Sequence, residues 1–233
     1  GVKHLFSAEG SCRNAAGFIS LDGAGIERIV TRGLGSRRYR ITASGPGGHS
    51  WVDWGTPNPL HAILELGARL VSMELGTNPV ETLTVARTGG GKSINAIPQR
   101  AWIEIDTRCE QPDRLDRLER QIRMAVERTA KTAGVEFVLE VVGDRPAGST
   151  RADTELVRAA IEATEAVGRR PQLATSSTDA NVPMHLGIPA LTIGCGGEAG
   201  LAHTTDEWYR NVGGAEGVVR ALYTVLIAAE VRG

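Results

Sequence analysis

The sequence predicts an α/β chain in which a ferredoxin-like βαββαβ unit sits inside a second α/β unit. Three observations predict it. From residue 36 to 145, four segments alternate polar and apolar residues and two carry apolar residues at helical spacing, in the order βαββαβ. After residue 146 the pattern turns to helices around Ile188-Pro-Ala-Leu-Thr-Ile193, an apolar run of the kind buried on both faces of a sheet. Before residue 35, a short strand, Gly17-Phe-Ile-Ser-Leu21, ends in the turn residues Asp22-Gly23. The expected domains are therefore a segment 1–35, an insert 36–145 and a segment 146–233, with the first and last sharing one sheet.

Each element has a local reason. Ile26, Ile29 and Val30 predict a second strand, closed by Gly33-Leu-Gly35. In the insert, residues 38–43 place Tyr39, Ile41 and Ala43 on one face of a half-buried strand. Asn58-Pro59 marks a helix start, with an amide cap before a proline at the first helical position. Leu60, Ile63, Leu64, Gly67 and Val71 form its expected inward stripe, and Gly76 its expected end. Residues 82–87 and 101–106 alternate again, the latter with Ile103 and Ile105 on one face. Pro112 opens a helix over 112–133, with Leu115, Leu118, Ile122, Val126 and Thr129 inward and Gly134 closing it. Residues 135–141 form the last strand of the insert. Two helices cover one face of this sheet and leave the other to polar and charged residues. In the final segment a helix over 152–167 buries Leu156, Ala159, Ala160, Ala163 and Val167. A short strand at 171–175 and a short helix at 179–186 follow. A last helix over 214–230 is expected to turn Val218, Ala221, Leu222, Val225 and Ala229 inward.

Composition sets the function classes. Of 233 residues, 41% are hydrophobic and only 4% aromatic, so the core is aliphatic. A net charge of -1 gives no electrostatic reason for nucleic acid or an anionic membrane as partner. No apolar run is long enough to span a bilayer. Cys12, Cys109 and Cys195 are far apart and form no CxxC pair, which fits a reducing, cytoplasmic compartment. Gly1 opens the chain without a methionine, and the expectation is a processed chain or a piece of something longer.

Several residues could do chemistry. Ser44-Gly-Pro-Gly-Gly-His49-Ser-Trp51 holds an imidazole out on a tip of almost no bulk, either as a solvated turn histidine or as a site residue. His203 lies in Gly200-Leu-Ala-His203-Thr-Thr-Asp-Glu207, after the buried strand, where ligands gather in open α/β sheets. It reads as a metal ligand or an acid/base, or as a loop residue capping the next element. Asp22 reads as a turn former or as a second ligand, since aspartate with histidine suits zinc. His4 and His185 lack carboxylate partners at ligand spacing and read as structural. Asn95 offers an amide from a turn. Arg108 offers a planar fork suited to carboxylates, or a surface ion pair with Asp106. The Gly-Gly-Gly-Lys-Ser run at 89–93 lacks the spacing of a phosphate loop, which argues against nucleotide binding.

In combination these motifs resemble the zinc metallo-exopeptidase and deacylase family of aminoacylase, peptidase T, glutamate carboxypeptidase and acetylornithine deacetylase. The resemblance rests on Leu21-Asp22-Gly23, the Gly-Gly-His49-Ser-Trp segment, Ser93-Ile-Asn95-Ala-Ile-Pro98 leading to Ile105-Asp-Thr-Arg108, Ser177-Thr-Asp-Ala-Asn181 and the His203 segment. The Gly-Gly-His-Ser-Trp form is most similar to the peptidase-T-like branch. The resemblance implies a partial zinc-exopeptidase-type catalytic domain carrying an inserted ferredoxin-like lid, which dimerises. It implies that Asp22 and His203 each ligate one of two zinc ions. It implies that His49 crosses to a partner's site to meet an oxyanion, while Asn95 and Arg108 hold a peptide or N-acyl amino acid substrate. The family's remaining ligands and its paired glutamates precede the lid, and nothing upstream here matches them. Glu9 stands alone in Ser-Ala-Glu-Gly. The expectation is an incomplete metallopeptidase, inactive as given, with zinc weak or absent. The alternative is a non-catalytic dimerisation or binding module.

Overall fold

The computed structural model describes residues 1–230; residues 231–233 lie outside the described residues. Along the chain the elements are α1 (Val2–Leu5), β1 (Phe18–Leu21), β2 (Arg28–Gly33), β3 (Gly35–Ser44), β4 (Gly48–His49), α2 (Pro59–Val71), β5 (Glu81–Gly90), β6 (Ala96–Ile97), β7 (Arg100–Cys109), α3 (Pro112–Ala133), β8 (Glu136–Arg145), β9 (Gly148–Ser149), α4 (Glu155–Ala166), β10 (Gln172–Ser176), α5 (Asn181–His185), β11 (Ala190–Ile193), β12 (Glu198–Gly200), β13 (Trp208–Arg210) and α6 (Gly214–Glu230). They form two compact units. One comprises Gly1–Leu34 with Pro146–Gly233, the other Gly35–Arg145.

In the Gly35–Arg145 unit the sheet order is β5-β7-β3-β8 and every pairing is antiparallel. With α2 and α3 as its crossovers this is the ferredoxin-like arrangement. Alternation puts Tyr39, Ile41, Ile103 and Ile105 against Ala62, Ile63 and Leu66 of α2 and Ile122 and Val126 of α3, all buried. Asn58 Oδ1 accepts the N–H groups of Leu60 and His61 at 3.0 and 3.3 Å, and Pro59 occupies the first turn without losing a bond. Gly134, at φ 64°, closes α3 in the left-handed conformation that suits glycine.

Two expectations for α2 are corrected. The helix stops at Val71, not Gly76, because the Ser72 hydroxyl donates to Ala68 O at 2.7 Å and takes up a terminal carbonyl. Gly76 instead donates its N–H to Glu81 Oε2 at 2.8 Å. The buried stripe is Pro59, Ala62, Ile63, Leu66 and Leu70, whereas Leu64 and Val71 stand 59% and 69% exposed. The helix is therefore apolar on two sides, and the sequence does not say which side meets the sheet.

The other unit holds a five-stranded mixed sheet. β1 runs parallel to β11, β11 antiparallel to β2, β2 parallel to β10, and β9 pairs with β2. The first and last segments of the chain thus share one sheet. All four residues of β11 are buried, as a strand covered on both faces requires. α4 packs Leu156, Val157 and Ala160 against Ile29, Leu191 and Ile193. The expected inward face of α6 is corrected. Val218, Leu222 and Val225 are exposed, Ala221 packs partly buried against the core as expected, and among the described side chains of this helix Arg220 and Thr224 are the fully buried ones. Arg220 is buried because its guanidinium has work to do inside: Nε donates to Thr164 Oγ1 at 2.8 Å and an Nη donates to Arg28 O at 3.0 Å. Burial without a carboxylate partner pushes its pKa down to about 10, so it stays cationic near neutrality.

Candidate functional site

Two regions carry the sequence-derived candidates, one in each unit. In the mixed-sheet unit, Asp22 follows β1 and its N–H donates to Ile193 O at 3.1 Å. The next residues are laced to the chain leaving β11. Cys195 N–H donates to Gly23 O at 2.8 Å, and Gly25 and Gly196 exchange N–H···O bonds of 3.2 and 3.0 Å. These are the carboxyl ends of two parallel strands, the place where open sheets bind ligands. His203 sits beyond, in the loop between β12 and β13. It has φ 67° and Leu201 has φ 55°, both left-handed values that cost non-glycine residues energy. Its N–H is accepted by Glu207 Oε2 at 3.2 Å. The side chains of Asp22 and His203 are exposed and share no hydrogen bond or ion pair.

The fit to zinc fails on donor count. A protein zinc site takes three or four protein ligands. Among the described residues, no group of three or more His, Cys, Asp or Glu is placed to hold a metal ion. Asp22 and His203 alone do not compose such a site.

In the ferredoxin-like unit, β4 and β6 form a short ribbon that pairs His49 with Ala96. Ser50 N–H donates to Asn95 O at 3.1 Å, so His49 at the end of β4 and Asn95 in the turn before β6 share one tip. The histidine is held by its own turn. His49 N–H donates to Asp53 Oδ2 at 2.7 Å, and Asp53 N–H returns to His49 O at 3.0 Å. Nδ1 accepts from Trp51 N–H and Val52 N–H at 3.2 and 3.3 Å. An Nδ1 facing two donors carries no proton, so the neutral ring bears its proton on Nε2. The tip therefore presents an N–H donor, the group needed opposite a developing oxyanion. Glycine is required at residue 48, because a Cβ there would lie 2.7 Å from the Asp53 side chain. Trp51, Val52, Trp54 and Ile94 crown the same loops at 84%, 76%, 81% and 103% exposure.

Arg108 is elsewhere. It pairs with Asp106 Oδ2 at 2.7 Å, and Asp106 Oδ1 also receives Arg38 at 2.9 Å. It lies near the end of β7 opposite Arg100, where Gly35 and Arg145 carry the chain into the other unit. Eight residues at about 3.3 Å each put it roughly 26 Å along the strand from the His49 tip. The sequence reading overlooked Asp53, whose spacing of four from His49 carries no recognisable signal, and the interior role of Asn181. The Asn181 side chain is fully buried: Nδ2 donates to Leu34 O and Pro146 O, both at 2.9 Å, and Oδ1 accepts Thr178 N–H at 2.9 Å.

Residues 33–133 match the peptidase dimerisation domain of the M20 peptidases. The succinyl-diaminopimelate desuccinylase of Dinoroseobacter shibae is 30% identical over 182 residues, covering 74% of this chain and 47% of that protein. Aminopeptidase PepT from Bacillus cereus superposes with a TM-score of 0.81 at 23% identity, over 98% of this chain and 61% of its own. A tripeptidase from Staphylococcus aureus gives 0.80 at 16% identity, again over 98% of this chain and 61% of its own. The two solved structures establish the fold. The chain spans about half the length of the curated relatives it matches. The likeness is to M20 peptidase-like proteins, carried in sequence by the dimerisation-domain match over residues 33–133 and by the desuccinylase relative.

Proposed function

We propose that these residues form part of a zinc-dependent amide hydrolase that cleaves a small peptide or an N-acyl amino acid and works as a homodimer through the Gly35–Arg145 unit. The observation that carries this reading is the separation of Arg108 from the His49–Asn95 tip along β7. One small substrate cannot touch both ends of one such unit. Two copies can supply one end each, with His49 and Asn95 of one copy meeting a substrate that Arg108 of its partner orients. In that arrangement the His49 Nε2–H donates to the oxygen on which negative charge develops, and Asn95 and Arg108 orient the substrate. The three free thiols fit a cytoplasmic setting. Among the described residues no helix is long and apolar enough to cross a membrane.

The dimer surface in this reading is the outer edge of β5 with the adjoining face of α2. β5 is an edge strand with unpaired backbone groups, and α2 beside it exposes Leu64, Ala68 and Val71. The opposite edge is flanked by α3, whose outer face is mostly charged.

Zinc enters by resemblance, and the two candidate ligands fall short of a site. The purified 233-residue chain is therefore expected to bind zinc weakly and to cleave no peptide or N-acyl amino acid. Metal analysis after dialysis, with a hydrolysis assay, tests this; one tightly held zinc per chain, or metal-dependent turnover, would refute it. The same shortfall favours the second reading, a dimerisation or binding module without chemistry. A longer polypeptide containing these residues that hydrolyses amides would exclude it.

A further inference from the structure

We propose that the groove between the end of α2 and the middle of α3, lined by Met73, Glu74, Gln121, Met124 and Arg128, binds a free apolar α-amino acid. The inference goes beyond the hydrolase reading and uses none of its residues, so either can fail without the other. The groove encloses about 400 Å³, the size of a small-molecule site. It lies on the helix side of the ferredoxin-like unit, whereas Arg108, between the buried Thr107 and Cys109, lies on the other face of the sheet. Pro59, at the start of α2, packs beside Gly45 at the base of the His49 tip. The 13 residues of α2 then run about 20 Å away from that tip.

One atom in the groove lacks a partner. Gln121 Oε1 is buried and accepts no hydrogen bond among the described residues. A buried acceptor left unpaired is costly, so a donor belongs beside it. Two opposite charges in the groove are also uncompensated. The Glu74 carboxylate and the Arg128 guanidinium both line it, yet among the described residues neither has an ion pair, with the other or with a third group. Arg69, the other cation there, is already taken by Glu65 at 2.8 Å.

An orphaned acceptor, a free anion and a free cation in one concavity fit a zwitterion. An α-ammonium carries three donors, enough for Gln121 Oε1 and Glu74 together. The planar fork of Arg128 matches an α-carboxylate. Met73 and Met124 supply soft walls that adapt to an aliphatic or aromatic side chain, and Met124 is 47% exposed and open to contact. A simple anion would leave Gln121 and Glu74 unanswered, and a simple amine would leave Arg128 so.

The test is an NMR titration of the 233-residue chain, ¹³C-labelled at its methionine methyls, with L-leucine, N-acetyl-L-leucine and L-leucinamide. The chain has three methionines, and the third, Met184, is buried in the other unit and serves as an internal reference. L-Leucine is expected to shift Met73 and Met124 saturably, to leave Met184 in place, and to bind at least about tenfold more tightly than either analogue. Glu74→Gln should weaken leucine several-fold and erase its advantage over N-acetyl-L-leucine, which lacks the ammonium. Arg128→Gln should weaken it similarly and erase its advantage over L-leucinamide, which lacks the carboxylate. Glu140→Gln, at an exposed position of β8, should change nothing. Absence of saturable shifts at Met73 and Met124, as expected if Gln121 holds only an ordered water, overturns the proposal. Equal binding of the three compounds, or variants whose losses do not follow the charge removed, also overturns it. Each of these outcomes leaves the hydrolase reading untouched.

Discussion

Asn181→Ala is expected to destabilise the mixed-sheet unit by about 3 kcal/mol, since a buried polar group stripped of its partner costs about 1–3 kcal/mol and two carbonyls lose one here. Those carbonyls belong to Leu34 and Pro146, the two points where the chain leaves and re-enters this unit. One side chain thus ties both crossings to the start of α5. The close fit has a cost in sequence freedom: a Cβ on Gly33 would lie 2.8 Å from Asn181 Cγ, so glycine is needed at residue 33. The measurement is urea unfolding followed by the methyl signals of Ile29 and Ile193 for this unit and of Ile41 and Ile103 for the other. With a urea dependence of about 1–3 kcal/mol per molar, the first pair should move its midpoint down by roughly 1–3 M. A shift confined to Ile41 and Ile103, or none, contradicts the role given to Asn181.

Arg117→Ala is expected to destabilise the ferredoxin-like unit by about 2–3 kcal/mol. Its guanidinium holds Glu81, whose carboxylate is fully buried, at 2.7 and 2.8 Å, while Arg114 stands at 3.8 Å. Removing the cation leaves a buried charge with only Gly76 N–H and the distant Arg114 to stabilise it. Breaking a buried pair in this way costs about 3–5 kcal/mol, and the lower figure here reflects the 39% exposure of Arg117. The discriminating measurement is a double-mutant cycle. Glu81→Gln with Arg117→Ala should cost clearly less than the two single changes added together, because the double variant leaves no buried charge behind. Additive losses would show that the pair is not coupled.

Much of this architecture is legible in the sequence because alternation and capping are local. Asn58-Pro59, Pro112 and Gly134 mark helix ends through backbone chemistry that does not depend on the rest of the fold. The two faces on which structure and periodicity differ, on α2 and α6, share a cause. Helical periodicity points apolar residues inward, yet α2 has apolar residues on both sides, and α6 packs Ala221 only partly against the core while fully burying Arg220 and Thr224. A guanidinium bridging Thr164 and Arg28 O is a tertiary event that no periodicity announces. The candidate site divides similarly. The Gly-Gly-His tip is visible in sequence, but the Asp53 turn that fixes the ring is not. The distance between Asn95 and Arg108 emerges only from the register of β7 on β3.

That distance makes self-association the central claim, and sedimentation velocity tests it most directly. The wild-type chain, 24.7 kDa, should sediment at twice its own mass, and Leu64→Asp, a change at an exposed position, should sediment as a folded single chain. A wild-type chain that remains at 24.7 kDa at every concentration, or a Leu64→Asp variant as dimeric as the parent, would contradict the shared site on the β5–α2 surface.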